Sequence, residues 1–251
     1  MQSLKDRNVV VIGGSRGVGR VIVTAAQAEG AHVLAVARGQ PSLVDLARDQ
    51  PGVRTLALDA TDAAAPGTVF AALAPDVLVL CGGATPPKAP MHEQDWSQFA
   101  VNWDTDVKAS FLFCTGALRR PLRAGTTVIL ISSGAAIGGS PISGGYAGAK
   151  RMQMFMAAYC QKESDRLGLG LRFLALAPAR IMPETELGKA AVEGYSRYLG
   201  IDAAAFIKGM GPVQTPQDVA KAVINLATGA ETAQGSVFLV SAKGLEPIPP
   251  A

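Results

Sequence analysis

Short β-branched runs alternate with helix-length stretches from one end of the chain to the other. Asn8–Ile12 is apolar throughout after its first residue, as a strand buried on both faces reads. Similar runs at His32–Ala37, 53–58, Val77–Leu80, Thr127–Ile131, 171–176 and 237–240 predict six more strands. The intervals predict helices around 42–49 and 68–73, over a long region 93–118, from 146 to about 167, and irregularly over 184–207. A last helix is predicted over 216–227, where Pro216 takes a favoured first position. A proline-rich tail follows. This alternation predicts an α/β protein with a doubly wound parallel sheet of about seven strands, right-handed crossovers and helices on both faces. No linker-like stretch or repeat divides the chain, so 1–251 reads as one domain.

In such sheets ligands bind beyond the carboxyl ends of the strands. Arg38, Asp59, Gly82, Gly83, Ser133 and Pro178 each follow a strand end, which places them on one rim. The turn after the first strand is Gly13-Gly14-Ser15-Arg16-Gly17-Val18-Gly19, and a helix-periodic stretch follows. Glycines there let a phosphate approach the backbone, and the helix start offers unpaired N–H groups to an anion. The second strand ends in Ala37-Arg38 without the carboxylate that would accept from an adenosine ribose. Arg38 and Arg16 are two planar cations suited to a phosphate monoester. NADP(H) is therefore expected over NAD(H).

Charge narrows the remaining classes. The net charge is +3 and the cations are scattered, so no nucleic-acid surface is expected. Apolar runs are strand-length and broken by charge, which argues against a membrane span. The opening residues contain no apolar signal region, and three separated cysteines, Cys81, Cys114 and Cys160, read as buried thiols; both point to the cytoplasm. His32 and His92 have no companions at ligand spacing, so no metal site is expected.

Tyr146 and Lys150 lie one helical turn apart and share a face. An ammonium there favours the phenolate, which lets the phenol exchange a proton with a substrate oxygen near neutral pH.

Gly13-x-x-x-Gly17-x-Gly19, Ser133 thirteen residues before Tyr146, Tyr146-x-x-x-Lys150 and Pro178 after the sixth strand together resemble the short-chain dehydrogenase/reductase family over nearly the whole chain. The resemblance implies a Rossmann-type, NAD(P)-binding domain and an oxidoreductase that interconverts a carbonyl and an alcohol. Tyr146 would be the general acid or base, Lys150 would assist it and hold the nicotinamide ribose, and Ser133 would donate to the substrate oxygen. Gly13, Ser15, Arg16, Gly17, Val18 and Gly19 would take the pyrophosphate, with Asp59 and Ala60 near the adenine. Gly82, Gly83, Pro178 and Ile181 would line the nicotinamide end. A homodimer or homotetramer is implied, through the middle helix and the Tyr146 helix.

Several positions depart from the family pattern. Ile12 replaces a Thr before the first glycine, and Leu80-Cys81-Gly82-Gly83 replaces Asn-Asn-Ala-Gly. Loss of both polar partners together is expected to compensate. Asp106 stands where the family carries an active-site Asn. A carboxylate there would stabilise protonated Lys150, partly cancel its effect on Tyr146, and move the pH optimum to the alkaline side. Asn102, one turn earlier, could share the role. Ala179 and Pro183 replace a Gly and a Thr, with Thr185 as a candidate substitute near the carboxamide.

The segment of about 181–213 reads as a substrate-loop insertion. Its Met182, Leu187, Tyr195, Tyr198, Leu199, Phe206 and Met210 suggest a small apolar substrate. Two other readings remain open: an NADP(H)-binding sensor with weak or no turnover, and an epimerase or dehydratase of the same fold.

Overall fold

The computed structural model describes residues 3–120, 122–230 and 235–249. Eight strands form one sheet in the order β3-β2-β1-β4-β5-β6-β7-β8. They are β1 (Asn8–Ile12), β2 (His32–Ala37), β3 (Arg54–Ala57), β4 (Val77–Leu80), β5 (Thr127–Ile131), β6 (Arg172–Pro178), β7 (Val237–Ser241) and β8 (Gly244–Pro247). The first seven run parallel. β8 turns back antiparallel on β7, where Leu239 pairs with Glu246, so part of the proline-rich tail forms an eighth strand at the sheet edge.

Successive side chains on each strand point to opposite faces. Val9 and Val11 enter one apolar core with Ile22, Leu46 and Val223, while Val10 and Ile12 enter the other with Phe113, Met154 and Phe173. The first core is covered by α1 (Gly17–Ala28), α2 (Gln40–Asp49) and α10 (Pro216–Thr228). The second is covered by α3 (Ala65–Ala72), α5 (Lys108–Arg119) and α7 (Gly144–Arg166). Chain order reverses at β1, which lies between β2 and β4, and this is the crevice such sheets offer to ligands.

The long middle helix expected over 93–118 is broken. A 3-10 turn at Met91–Glu93 precedes α4 (Trp96–Asn102). Asp95 starts α4 with a capping box: its carboxylate accepts from the Gln98 N–H at 2.9 Å, and Gln98 Oε1 accepts from the Asp95 N–H at 3.0 Å. A π-helical turn, Trp103–Val107, then joins α4 to α5. There the Lys108 N–H reaches back to the Trp103 carbonyl, five residues earlier. Such wide turns insert a residue and re-aim side chains, frequently at functional sites. A one-turn α6 (Ala135–Gly138) follows β5, and the segment after β6 folds into α8 (Glu186–Leu199) and α9 (Ala203–Gly209).

Candidate active site

A single cavity of about 1180 Å³ runs along the carboxyl ends of the strands. Every residue expected to be catalytic or to bind the cofactor lines it: Gly13, Ser15, Arg16, Gly17, Val18, Gly19, Arg38, Asp59, Ala60, Gly82, Gly83, Asp106, Ser133, Tyr146, Lys150, Pro178 and Ile181. That volume exceeds the usual range for one small ligand.

At the glycine turn, Arg16 precedes α1 in extended backbone and gives no side-chain cap, and the first turn carries no acid. The N–H groups at the start of α1 are thus left for an anion. Gly17 has φ +52°, and a Cβ built on it would meet nothing within 4 Å. A side chain there would project into open space beside the helix start, where a dinucleotide's pyrophosphate would lie, so the cradle fits that group. Further along the rim, Asp59 accepts from the Thr61 N–H at 2.9 Å and hydroxyl at 2.8 Å. The Thr61 bonds hold the Asp59 carboxyl below its ordinary range, with smaller help from Arg38 and Lys108. Arg38 is exposed and makes no ion pair among the described residues. Arg16 instead donates to Glu186 on α8 at 2.9 Å, tying the glycine turn to the far lip of the cleft.

The reacting end is built on β5 and the first turns of α7. Lys150 is buried. Its Nζ donates to Asp106 Oδ2 at 3.1 Å and to the Ile131 carbonyl at 3.1 Å, and lies 5.7 Å from the Tyr146 ring centre. An ammonium has three protons, so one stays free for the cleft. Burial works against the Lys150 charge, but the Asp106 carboxylate, followed by Tyr146, outweighs it and holds Lys150 above its ordinary value. Ser133 Oγ accepts from the Ala135 N–H at 3.2 Å, leaving its own proton uncommitted among the described residues. Its neighbour Ser132 points the other way and donates to the Lys150 carbonyl at 2.7 Å, which fixes α7 against β5.

A family model described as short chain dehydrogenase matches residues 7–196. The chain belongs to the short-chain dehydrogenase/reductase family, whose members are NAD(P)-dependent oxidoreductases. It is 33% identical over 106 residues to L-xylulose reductase of Mesocricetus auratus, a match covering 42% of this chain and 43% of that protein. It is 28% identical over 234 residues to 2-keto-3-deoxy-L-fuconate dehydrogenase of Xanthomonas campestris pv. campestris, covering 90% of this chain and 75% of that one. The chain thus spans about half the length of the L-xylulose reductases it matches. In fold it resembles a short-chain dehydrogenase/reductase (glucose/ribitol dehydrogenase) from Brucella melitensis, with TM-score 0.76 and 21% identity over 96% of this chain and 97% of that one.

The departures from the family pattern now have a physical setting. Ile12 and Leu80 are cross-strand partners, both buried, and neither position leaves a side-chain polar atom unpaired. An apolar pair has replaced a polar one. Asp106 faces the site and is fully engaged. Its Oδ1 accepts from the Ala84 N–H at 2.9 Å and from Asn102 Nδ2 at 3.2 Å, and competes with the Val101 carbonyl, 2.7 Å away, for the single Thr105 hydroxyl proton at 2.8 Å. A Cβ on Gly83 would sit 2.5 Å from that carboxylate, so glycine alone fits after Gly82 without displacing Asp106. Asn102 supports Asp106 and also donates to the Ala84 carbonyl at 2.9 Å, while its own Oδ1 is buried without a protein partner.

Three expectations change. Thr185 is not free for a carboxamide, because its hydroxyl caps α8, accepting from the Gly188 N–H and donating to the Met182 carbonyl, both at 2.9 Å. Cys81 is not the fully buried thiol expected, since its residue is partly exposed. It lines the cavity beside the ion pair, and burial pushes its thiol up to about 11, with Lys150 opposing and Asp106 adding. Cys160 is only half-buried and lies close enough to Cys114 that each thiol shifts the other, Cys114 upward and Cys160 downward. Tyr198 is exposed and off the cavity wall, whereas Met182, Leu187, Tyr195, Leu199, Phe206 and Met210 all line it.

Sequence reasoning missed Gln214. Its side chain is fully buried, accepts from the Arg180 N–H at 3.1 Å and donates to the Val240 carbonyl at 2.7 Å. It thereby pins the Pro178–Ile181 turn to β7. The Ile181 N–H donates to no group among the described residues and remains available to a ligand. A glutamine just before a Thr-Pro helix start gives no sign of this role, because its partners are remote in sequence, Arg180 in the turn after β6 and Val240 on β7.

Proposed function

We propose that this chain is an NADP(H)-dependent oxidoreductase that interconverts a carbonyl and an alcohol on a small substrate. The observation that carries the reading is the shared cleft: an uncapped helix start at one end, and Ser133, Tyr146 and buried, charged Lys150 at the other. When bound, the nicotinamide supplies or accepts the hydride. Tyr146 gives its proton to the substrate oxygen as reduction proceeds and takes it back in oxidation. Lys150 stabilises the resulting phenolate with its remaining proton. Ser133 donates to the substrate oxygen as charge develops there. Gln214 holds the turn whose Ile181 N–H fits a carboxamide.

Arg38 and Arg16 support a 2′-phosphate, and the strand that ends at Ala37 offers no acid to repel it. Arg16 would exchange Glu186 for that phosphate. Met182, Leu187, Leu199, Phe206 and Met210 favour a substrate with an apolar flank. Segment 181–213 then acts as the substrate loop of a single domain. Exposed Trp96, Trp103 and Phe111 on the α4–α5 side favour a homodimer or homotetramer through that side and α7. No helix among the described residues is long and apolar enough to cross a membrane. With three free thiols, this fits a cytoplasmic setting.

Fluorescence titration with NADPH and NADH, side by side, tests the cofactor. NADPH should bind about ten-fold or more tightly, since the phosphate adds charge-assisted bonds to two guanidiniums. Equal affinity would remove the Arg38–Arg16 clamp. NADPH binding with no turnover on a panel of ketones and aldehydes would favour a sensor over an enzyme.

A further inference from the structure

The cavity wall beside Tyr146 is not uniformly apolar. Ser140 Oγ lies 2.6 Å from Ser143 Oγ and 2.7 Å from the Tyr195 hydroxyl, and all three residues line the cavity with Tyr146. Ser143 is the residue before α7, where a serine ordinarily accepts from an N–H of the first turn. Here it makes no such bond, and its hydroxyl is turned to Ser140 instead. Tyr195 comes from the opposite side of the cleft, on α8. Its ring stacks on Phe206 of α9, with centres 5.4 Å apart and planes 7° from parallel, which fixes where its hydroxyl points.

Three hydroxyls carry three protons. Two are spent on the bonds within the trio, leaving one donor and several lone pairs unused. A group that both accepts and donates satisfies that remainder; a methyl or methylene does not. Ser143 and Tyr146 are three residues apart at the start of α7, so they share a face, and the trio sits about one helical turn from the reacting phenol.

We infer that Ser140, Ser143 and Tyr195 form a second oxygen-binding subsite, and that the substrate is a carbonyl compound bearing a hydroxyl close to the reacting carbon. This rests on the oxidoreductase reading above and revises the expectation of a wholly apolar substrate. The apolar wall then holds the rest of the substrate, and the trio sets which end faces the nicotinamide.

The expected size follows from the trio's own bonding. A site whose polar groups are left unpaired by the wrong substrate rejects it by roughly 10⁴–10⁵-fold. Here the hydroxyls pair with one another, so discrimination falls to about 10- to 100-fold.

The test uses hydroxyacetone and butanone, ketones of similar size that differ in a hydroxyl for a methyl. NADPH oxidation is followed with each, and the kcat/KM ratio is compared for the parent, Tyr195→Phe and Ser140→Ala. The parent should favour hydroxyacetone by about 10-fold or more, and either substitution should bring the ratio toward one. A parent ratio near one, or a ratio unmoved by both substitutions, overturns the subsite while leaving the redox reading intact. NADPH that binds but is oxidised by neither ketone overturns the redox reading, and the subsite with it. A general loss of packing would lower both rates together and leave the ratio where it was.

Discussion

Two ion pairs lie on one cleft, and their lengths mislead. Arg16–Glu186, at the lip, is 2.9 Å with side chains 65% and 78% exposed. Lys150–Asp106, at the floor, is 3.1 Å with side chains 7% and 1% exposed. The shorter pair is the weaker. Water screens it, and exposed pairs contribute about 0–1 kcal/mol. The buried pair is less screened, and apart from the one Lys150 proton left for the cleft its charges have exchanged water for protein partners. Asp106 accepts from three donors, Lys150, Ala84 and Asn102, and competes with the Val101 carbonyl for the Thr105 hydroxyl proton. On the proposed reading the floor would hold the geometry that catalysis needs, and the lip would open and trade its carboxylate for the phosphate of NADP(H).

The contrast is broken most severely at the floor. Asp106→Ala leaves Lys150 charged, buried and short of a partner, and should cost about 3–5 kcal/mol of stability. A urea melt reads this, and a loss below about 1 kcal/mol would mean the pair is not buried in solution. Because Lys150 is held above its ordinary value of 10.5, the pair's contribution is full below that pH. It fades as pH rises through the higher folded value. The melt difference between parent and variant should thus be constant across neutral pH and shrink only in strong alkali.

Asp106→Asn is milder and sharpens the comparison. The amide keeps the shape but removes the counter-charge, so Lys150 acts more fully on Tyr146. The pH–rate profile for carbonyl reduction should move to the acid side by about one unit. An unmoved profile would show that the carboxylate does not modulate the phenol.

The lip should respond least. Glu186→Gln frees Arg16 and should tighten NADPH binding by about two-fold at low salt, with no measurable change in NADH binding. The gain should vanish at high ionic strength, where exposed charges are screened. A change of more than ten-fold would place the pair deeper than its exposure allows.

Legibility in the sequence divides along similar lines. β1, β2, β4 and β5 keep the bounds expected of them, because apolar runs buried on both faces have one reading. β8 was not legible. Gly-Leu-Glu-Pro has no strand pattern of its own and is ordered by pairing with β7 at the edge. The π turn was hidden because a single inserted residue barely disturbs a 3.6-residue period. The Asp95-x-x-Gln98 box was the available sign that α4 starts later than expected. That Ser133, Tyr146 and Lys150 share one cleft was legible because their spacing is local. The hydroxyl trio and Gln214 were not, since each is assembled from segments brought together only by the fold.

The most direct measurement uses NADPH carrying deuterium on the transferring face of the nicotinamide, with hydroxyacetone as acceptor, for the parent and for Tyr146→Phe. One deuterium is expected on the carbinol carbon of the product, and a rate about 10²–10⁴-fold lower for Tyr146→Phe with NADPH still bound. Product without deuterium, or an undiminished rate from the phenylalanine variant, would contradict the proposed function.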